Sequence, residues 1–209
     1  MHFLLRAVTV YSAFFISSCV SNQTDIFPRA VSVNIDETPI FITAPDGFCI
    51  DQGTAKKVSN SITLFAVDCI IIKIENGFSS ARRPVSSILT VTISRSGQDV
   101  SNNLDDLLKF LTTKPGLKML SRSETINPLK VHSIEKHQDL ILFYGEQRVD
   151  GTEVNGSPFF WRALFFLDNH IVSLTANNFI QDKNSKLRLK KLIVEFSNNI
   201  KASNVDLNT

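Results

Sequence analysis

The sequence is short of the residues from which most catalytic and cofactor signatures are built. Its eight glycines never fall into a Gly-x-Ser-x-Gly, Gly-x-Gly-x-x-Gly or P-loop spacing. That excludes the nucleophile turn of the α/β hydrolases, the dinucleotide-binding turn and the phosphate-cradling loop. Its four histidines form no His-Glu-x-x-His pair. His132 and His137 stand at an odd separation, which in a regular strand sends them to opposite faces and away from a shared metal. An excess of charge of one sign is also lacking: 22 basic against 20 acidic residues give a formal charge of +2. Without a clustered basic face, a nucleic-acid partner is not expected. Long apolar runs are missing with one exception, Ala7–Ile16. It is too short for a transmembrane helix, which needs roughly 20 apolar residues. There are no internal repeats and no low-complexity blocks.

The one apolar run is informative through its flanks. Arg6 precedes it and the small residues Ser17 and Ser18 follow it, which is the charged, apolar, small-residue order of a secretory signal. Ile16-Ser17-Ser18-Cys19 resembles the bacterial lipobox, with Ile16 where leucine is commoner. The resemblance implies removal of residues 1–18, acylation of Cys19 (palmitate among the acyl chains) and anchoring of the mature chain to an envelope membrane on its periplasmic side. Several acyl chains would anchor firmly, because one alone binds only marginally. Ordinary signal cleavage nearby, leaving Cys19 unlipidated, is the alternative. Val20 occupies the position where well-studied lipoproteins retained in the inner membrane carry Asp, which tips the expected destination towards the outer membrane. Removing residues 1–18 leaves about 190 residues and a charge near +1, a length suited to one domain with a real core.

With Cys19 assigned to lipid, Cys49 and Cys69 remain as an even pair in an exported chain, which reads as a disulfide. Closing a loop of that length stabilises a fold by about 3 kcal/mol in the chain-entropy model. A metal pair would need further ligands nearby, and redox pairs usually take the form Cys-x-x-Cys.

Periodicity divides the rest. Residues 19–37 read as a tether merging into the first extended segment, 38–202 as a single domain, and 203–209 as a flexible tail. Pro39–Thr43 and Ser61–Cys69 read as strands, Asp51–Asn60 as a helical turn or loop, and Ser87–Arg95 as an alternating strand. Ser101 or Asn102 is expected to cap a helix whose stripe is Leu104, Leu107, Leu108 and Leu111 and which Pro115-Gly116 ends. Four strands follow, at Leu129–Lys136, Leu140–Val149, Phe159–Leu167 and Ile171–Asn177. A tight turn at Asp168-Asn169-His170 leaves His170 exposed. A last helix, 184–202, presents Leu189, Leu192, Ile193, Phe196 and Ile200 on one face, with Lys186, Arg188, Lys190, Lys191 and Lys201 off it. The expected fold class is α+β: an antiparallel sheet of about six or seven strands packed against a middle helix and a long C-terminal helix. The turn Pro45-Asp46-Gly47-Phe48, together with this order of elements, resembles the PsbP/DcrB-like fold. Known members of that fold bind partners or remain without an assigned role, and the resemblance carries over no ligand residue.

Few residues stand out as candidate sites. Arg82-Arg83 beside Ser79-Ser80 suits an anion or a solvated loop. Asp46, Asp51 and Asp68 suit a cluster around the cysteines or simple turn capping. In the aromatic run, Phe159, Trp161, Ala163 and Phe165 alternate with Phe160, Arg162, Leu164 and Phe166. One set is expected in the core and the other under a helix or on a binding surface. No residue is assigned as catalytic, cofactor-binding or metal-ligating. Two classes of function stay open. One is a non-enzymatic, lipid-anchored binding or assembly module of the cell envelope, with an envelope protein as possible partner. The other is a small envelope hydrolase with dispersed catalytic residues. The first predicts a surface without a deep polar pocket, the second a cleft with converging titratable groups. Mass spectrometry of unreduced, freshly purified protein should yield the Cys49 and Cys69 peptides linked; two alkylatable thiols in the native chain would exclude the pairing.

Overall fold

Strict alternation of branched and hydroxyl side chains, as in Ser87–Arg95, is the signature of a strand with two different faces, and such strands form the centre of the molecule. A computed structural model describes residues 27–70, 86–95, 103–120, 129–147, 157–179 and 182–205. Cys19, Ser79, Ser80, Arg82 and Arg83 lie outside them. The hairpin β1 (Ala30–Ile35) and β2 (Thr38–Thr43) forms a two-stranded sheet. Next come β3 (Phe48–Val58), β4 (Ser61–Asp68) and β5 (Ser87–Arg95), the short helices α1 (Leu104–Leu111) and α2 (Lys114–Leu120), then β6 (Lys130–His137), β7 (Leu140–Glu146), β8 (Phe159–Leu167) and β9 (His170–Asn178), and finally α3 (Ser185–Val205). The seven later strands make one sheet in the order β3-β4-β5-β9-β8-β7-β6, antiparallel throughout. Two meanders therefore meet at the β5–β9 seam. The edge strands β3 and β6 carry the exposed lysines Lys56, Lys57, Lys130 and Lys136, charges that discourage edge-to-edge pairing.

The α+β class and the seven-stranded sheet are as expected from periodicity. Several boundaries differ, each for a local reason. Strand β1 begins at Ala30, inside the segment expected as tether, because Val31 and Ile35 alternate into the core. Asp51–Val58 is strand, not helix or loop: an edge strand is laddered on one side only, and its polar residues stay exposed. The first helix is capped by Asn103, whose side chain accepts from the Asp105 amide at 2.8 Å. It stops at Thr112 before Pro115-Gly116. Pro115 instead opens α2, where a missing amide hydrogen costs nothing. A Cβ at Gly116 would lie 2.1 Å from the Phe110 carbonyl oxygen, so glycine is what lets the two short helices close on each other. The last helix runs on to Val205, past residue 202, because Asn204 has a partner to hold.

That partner is a strand backbone. Asn204 accepts from the Phe41 amide at 2.9 Å and donates to the Phe41 carbonyl at 2.7 Å, so one amide side chain satisfies the free edge of β2 as a neighbouring strand would. Thr43 and Ser203 hydroxyls bond at 2.7 Å, and Asn199 donates to the Ala44 carbonyl at 3.2 Å. The hairpin and α3 thus cover the same sheet face as one unit. Beneath them lie Leu89, Val91, Ile93, Trp161, Phe165 and Leu174, facing Leu189, Ile193, Phe196 and Ile200 of α3. Leu192 is only half-buried. On the other face α1 and α2 bury Leu107, Leu111 and Leu120 against Ile141, Phe143, Phe160 and Leu164.

Turn geometry closes the meanders. Ile35–Thr38, Val58–Ser61, His137–Leu140 and Leu167–His170 pair across two-residue turns that place Asp36, Glu37, Ser59, Gln138 and Asp168 at positive φ, as tight hairpins require. At Pro45-Asp46-Gly47-Phe48 the Phe48 amide donates to the Pro45 carbonyl at 3.1 Å, with Gly47 at φ +82°, a turn in which glycine meets no steric cost. His170, expected in a turn and exposed, is instead the first paired residue of β9 and only 4 % exposed. The turn is Asp168-Asn169 alone, and His170 shares the parity of the buried Val172 and Leu174. Phe196, fully buried in the α3 interface, is the most informative test of this packing. Phe196→Ala should cost about 3–5 kcal/mol, read as a large fall in Tm, whereas Lys191→Ala on the exposed side should leave Tm unchanged.

Candidate functional site

The two faces of the sheet are not covered alike. Strands β4, β5 and β9 send Leu64, Ala66, Leu89, Val91, Ile93, Leu174 and Ala176 under α3 and the hairpin. Their alternate residues are mostly hydroxyl-bearing and face the other way, where α1 and α2 cover the β7–β8 half. What remains is a groove of about 830 Å³, within the usual range of small-ligand sites, about 300–1,000 Å³.

Strand register orders its floor. One row across β4, β5, β9 and β8 reads Phe65, Thr90, Thr175, Arg162; the next reads Thr63, Thr92, Ser173, Leu164; a third passes through Ile88 and Asn177. Thr63 and Thr92 hydroxyls bond at 3.0 Å. Arg162 forms the wall towards α2. Its Nε donates to Thr175 Oγ1 at 3.0 Å and a terminal nitrogen to the Leu120 carbonyl at 2.7 Å. The guanidinium also lies 5.4 Å from the ring centres of both Phe143 and Phe160, so rings and hydrogen bonds fix it in place. At the far end Arg95 pairs with Asp36 at 3.5 Å. No carboxylate is among the described residues of the lining.

A second cluster lies on the opposite face, at the start of α3. Its origin is a β-bulge between Val131 and Ser133, which breaks the alternation assumed for β6. The expectation of opposite faces for the histidines fails there. His132 packs on Tyr144, on the side that also carries Leu140, the partner of His137. The His132 ring centre lies 5.5 Å from Tyr144 and 5.7 Å from Phe159, and the latter two stack at 5.8 Å. His132 Nε2 is 3.5 Å from Glu146 Oε2, and Lys186 Nζ sits 4.3 Å above the Tyr144 ring. Burial pushes the Tyr144 phenol above its ordinary value, and the Glu146 carboxylate adds to that. Among the described residues the contacts of His132 are thus a carboxylate and two rings, one of which carries the Tyr144 phenol.

The remaining sequence candidates resolve plainly. Cys49 and Cys69 are bonded, S–S 2.01 Å. Asp46 pairs with Arg29, Asp51 accepts from the Gly53 amide and Asp68 from the Ile70 amide, so the three acids serve turns and an exposed ion pair. No group of three or more potential metal ligands occurs among the described residues. Both sets of the aromatic run are core: Trp161, Ala163 and Phe165 under α3, Phe160 and Leu164 under α1 and α2. The hydroxyl groove escaped sequence reasoning. The alternation of Thr90, Thr92 and Ser94 was visible, but the neighbours that complete each row come from β4 and β9.

No protein-family model matches the chain, and no curated protein matches it. Among solved structures it is similar to the extracellular domain of PknH from Mycobacterium tuberculosis, with a TM-score of 0.36 and 8% identity over 83% of this chain and 82% of that one. No helix among the described residues is long and apolar enough to cross a membrane. The chain holds two tyrosines, Tyr11 and Tyr144, so in a Tyr11→Phe background ultraviolet titration reads Tyr144 alone. Its midpoint should lie above 10 and fall in Glu146→Gln. A phenol whose pKa is raised in the folded state contributes stability below its unfolded value, so this contribution should be lost as pH rises through the folded value. A midpoint unmoved by Glu146→Gln would remove the carboxylate from the cause.

Proposed function

We propose that this chain is exported, tethered to a bacterial envelope membrane by acyl chains on Cys19, and works as a non-enzymatic binding module through the groove on its sheet. The observation that carries the reading is the lining of that groove: among the described residues it is built of threonine and serine hydroxyls, the Asn177 amide and apolar side chains in strand register, with Arg95 and Arg162 at its margins and no converging acid–base pair. A hydrolase needs a nucleophile within reach of a base. The His132–Glu146 pair has the base and its carboxylate, but its ring contacts among the described residues, Tyr144 and Phe159, offer a phenol whose ionisation burial disfavours. The Cys49–Cys69 disulfide supports an oxidising compartment, in agreement with the signal-like segment before Cys19.

The tether supports a module that works near its membrane. From Cys19 to Ala30 the chain reaches at most about 40 Å when fully extended, so the acyl anchor would hold the domain close to the bilayer, within range of envelope partners. Val20 after the cysteine favours the outer membrane. The test is metabolic labelling with a tagged fatty acid followed by membrane fractionation. Wild-type protein should carry label and sediment with the outer membrane, and Cys19→Ser should carry none and be released. Equal labelling of the two proteins would refute acylation at Cys19, and label confined to the inner membrane would refute the destination.

A further inference from the structure

We infer that the groove binds a neutral, polyhydroxylated ligand of the glycan class. The inference rests on the binding-module reading and names its ligand chemistry. Among the described residues, two features distinguish this surface from an ordinary solvated sheet face. It is concave, walled by Leu120 and Arg162, and its hydroxyls lie in adjacent rows: Thr63, Thr92 and Ser173 in one, Thr90 and Thr175 in the next.

A hydroxyl group both donates and accepts. Rows of hydroxyls therefore suit a ligand whose own groups do both, as sugar hydroxyls do, whereas an anion presents acceptors only. The spacing is set by the backbone: about 4.8 Å between strands and about 6.8 Å between alternate residues along one. Threonine is stiff at χ1, so little rotamer freedom remains to be lost on binding, which lowers the entropic cost. Charge points the same way. The cations of the lining are already engaged, Arg95 by Asp36 and Arg162 by Thr175 and the Leu120 carbonyl, and no carboxylate is among the described residues that line the groove. Phe65 and Ile88 interrupt the hydroxyls with apolar surface, which suits the C–H faces of a pyranose ring. Crossing β4, β5, β9 and β8 spans about 14 Å, enough for a short oligosaccharide.

The experiment is isothermal titration calorimetry on the full-length protein, with triacetylchitotriose and maltotriose as neutral probes and inorganic phosphate as the anionic one. Saturable binding of a trisaccharide is expected, insensitive to added salt and weakened at least tenfold in Thr90→Val/Thr92→Val. Valine keeps the shape of threonine, so the melting temperature of that variant should stay near the wild-type value. Should the variant unfold instead, hydrogen exchange on wild-type protein decides, with slowed exchange in β5 and β9 expected when trisaccharide is present. No heat from either trisaccharide at millimolar concentration, undiminished affinity in a folded valine variant, or absent protection in β5 and β9 would overturn the inference. Tighter, salt-sensitive binding of phosphate would reassign the groove to anions. The two readings fail separately: Cys19→Ser should bind the trisaccharide as the wild type does, so the titration decides the groove, and labelling of the wild type against Cys19→Ser decides the anchor.

Discussion

Burial of the α3 stripe against the large sheet is the contact on which the rest of the structure depends. Leu189, Ile193, Phe196 and Ile200 are almost fully buried, and each large side chain of this kind is worth about 1.5–3 kcal/mol when removed from water. The same helix holds the β1–β2 hairpin through Asn199, Ser203 and Asn204. A two-stranded hairpin is marginal by itself, and this one is secured by a helix whose side chains act as its missing neighbour. Loss of the α3 interface would therefore release two elements at once. The Cys49–Cys69 bond ties the start of β3 to the chain just beyond β4 on the same sheet.

The margins of α3 are as ordered as its centre. Trp161 donates its indole N–H to the Lys186 carbonyl at 2.9 Å. Lys190 lies 5.2 Å above the Trp161 ring and pairs with Glu135. Lys201 lies 4.8 Å above the Phe165 ring and 2.5 Å from Asp139 Oδ2. Long apolar stems lie over the aromatic core while their charged ends reach partners. Burial draws the Lys201 ammonium below its ordinary value, with Asp139 partly offsetting it. Burial alone would raise the Asp139 carboxyl, but the hydrogen bond and charge of Lys201 outweigh it and hold the group below the usual carboxylate range. The basic residues flanking the stripe thus seal its edges.

Among the described residues the cover on the opposite face is partial, and that asymmetry bounds the groove. The α1–α2 pair is short and spans the β7–β8 half, leaving a hydroxyl floor bounded by Arg162. Its position between the apolar and hydroxyl halves of one face explains its contacts: two aromatic rings on one side, a threonine hydroxyl on the other. His170 sits on the α3 side of the same strands, buried with both ring nitrogens unpartnered.

Much of this was legible along the chain. Alternation in Ser87–Arg95 and Phe159–Leu167, the leucine stripe of α1 and the apolar stripe of α3 are local patterns whose period reports the element and its buried face. They sufficed for the α+β class and for the buried stripes of α1 and α3, though not for β1 or most of β3, and an even pair of cysteines sufficed for the disulfide. The segment before Cys19 lies outside the described residues, so what is expected of it rests on the sequence alone. Other features depended on partners distant in sequence. The edge strand within Asp51–Val58 exists because β4 ladders it, and the extension of α3 to Val205 because β2 offers Asn204 a backbone. The β6 bulge that brings His132 to Tyr144 is a matter of pairing register. The groove is the clearest case: single hydroxyls on β4, β5 and β9 look like ordinary solvated positions until antiparallel register sets them side by side. Local periodicity determined what each segment is, and the pairing of distant strands decided which side chains meet.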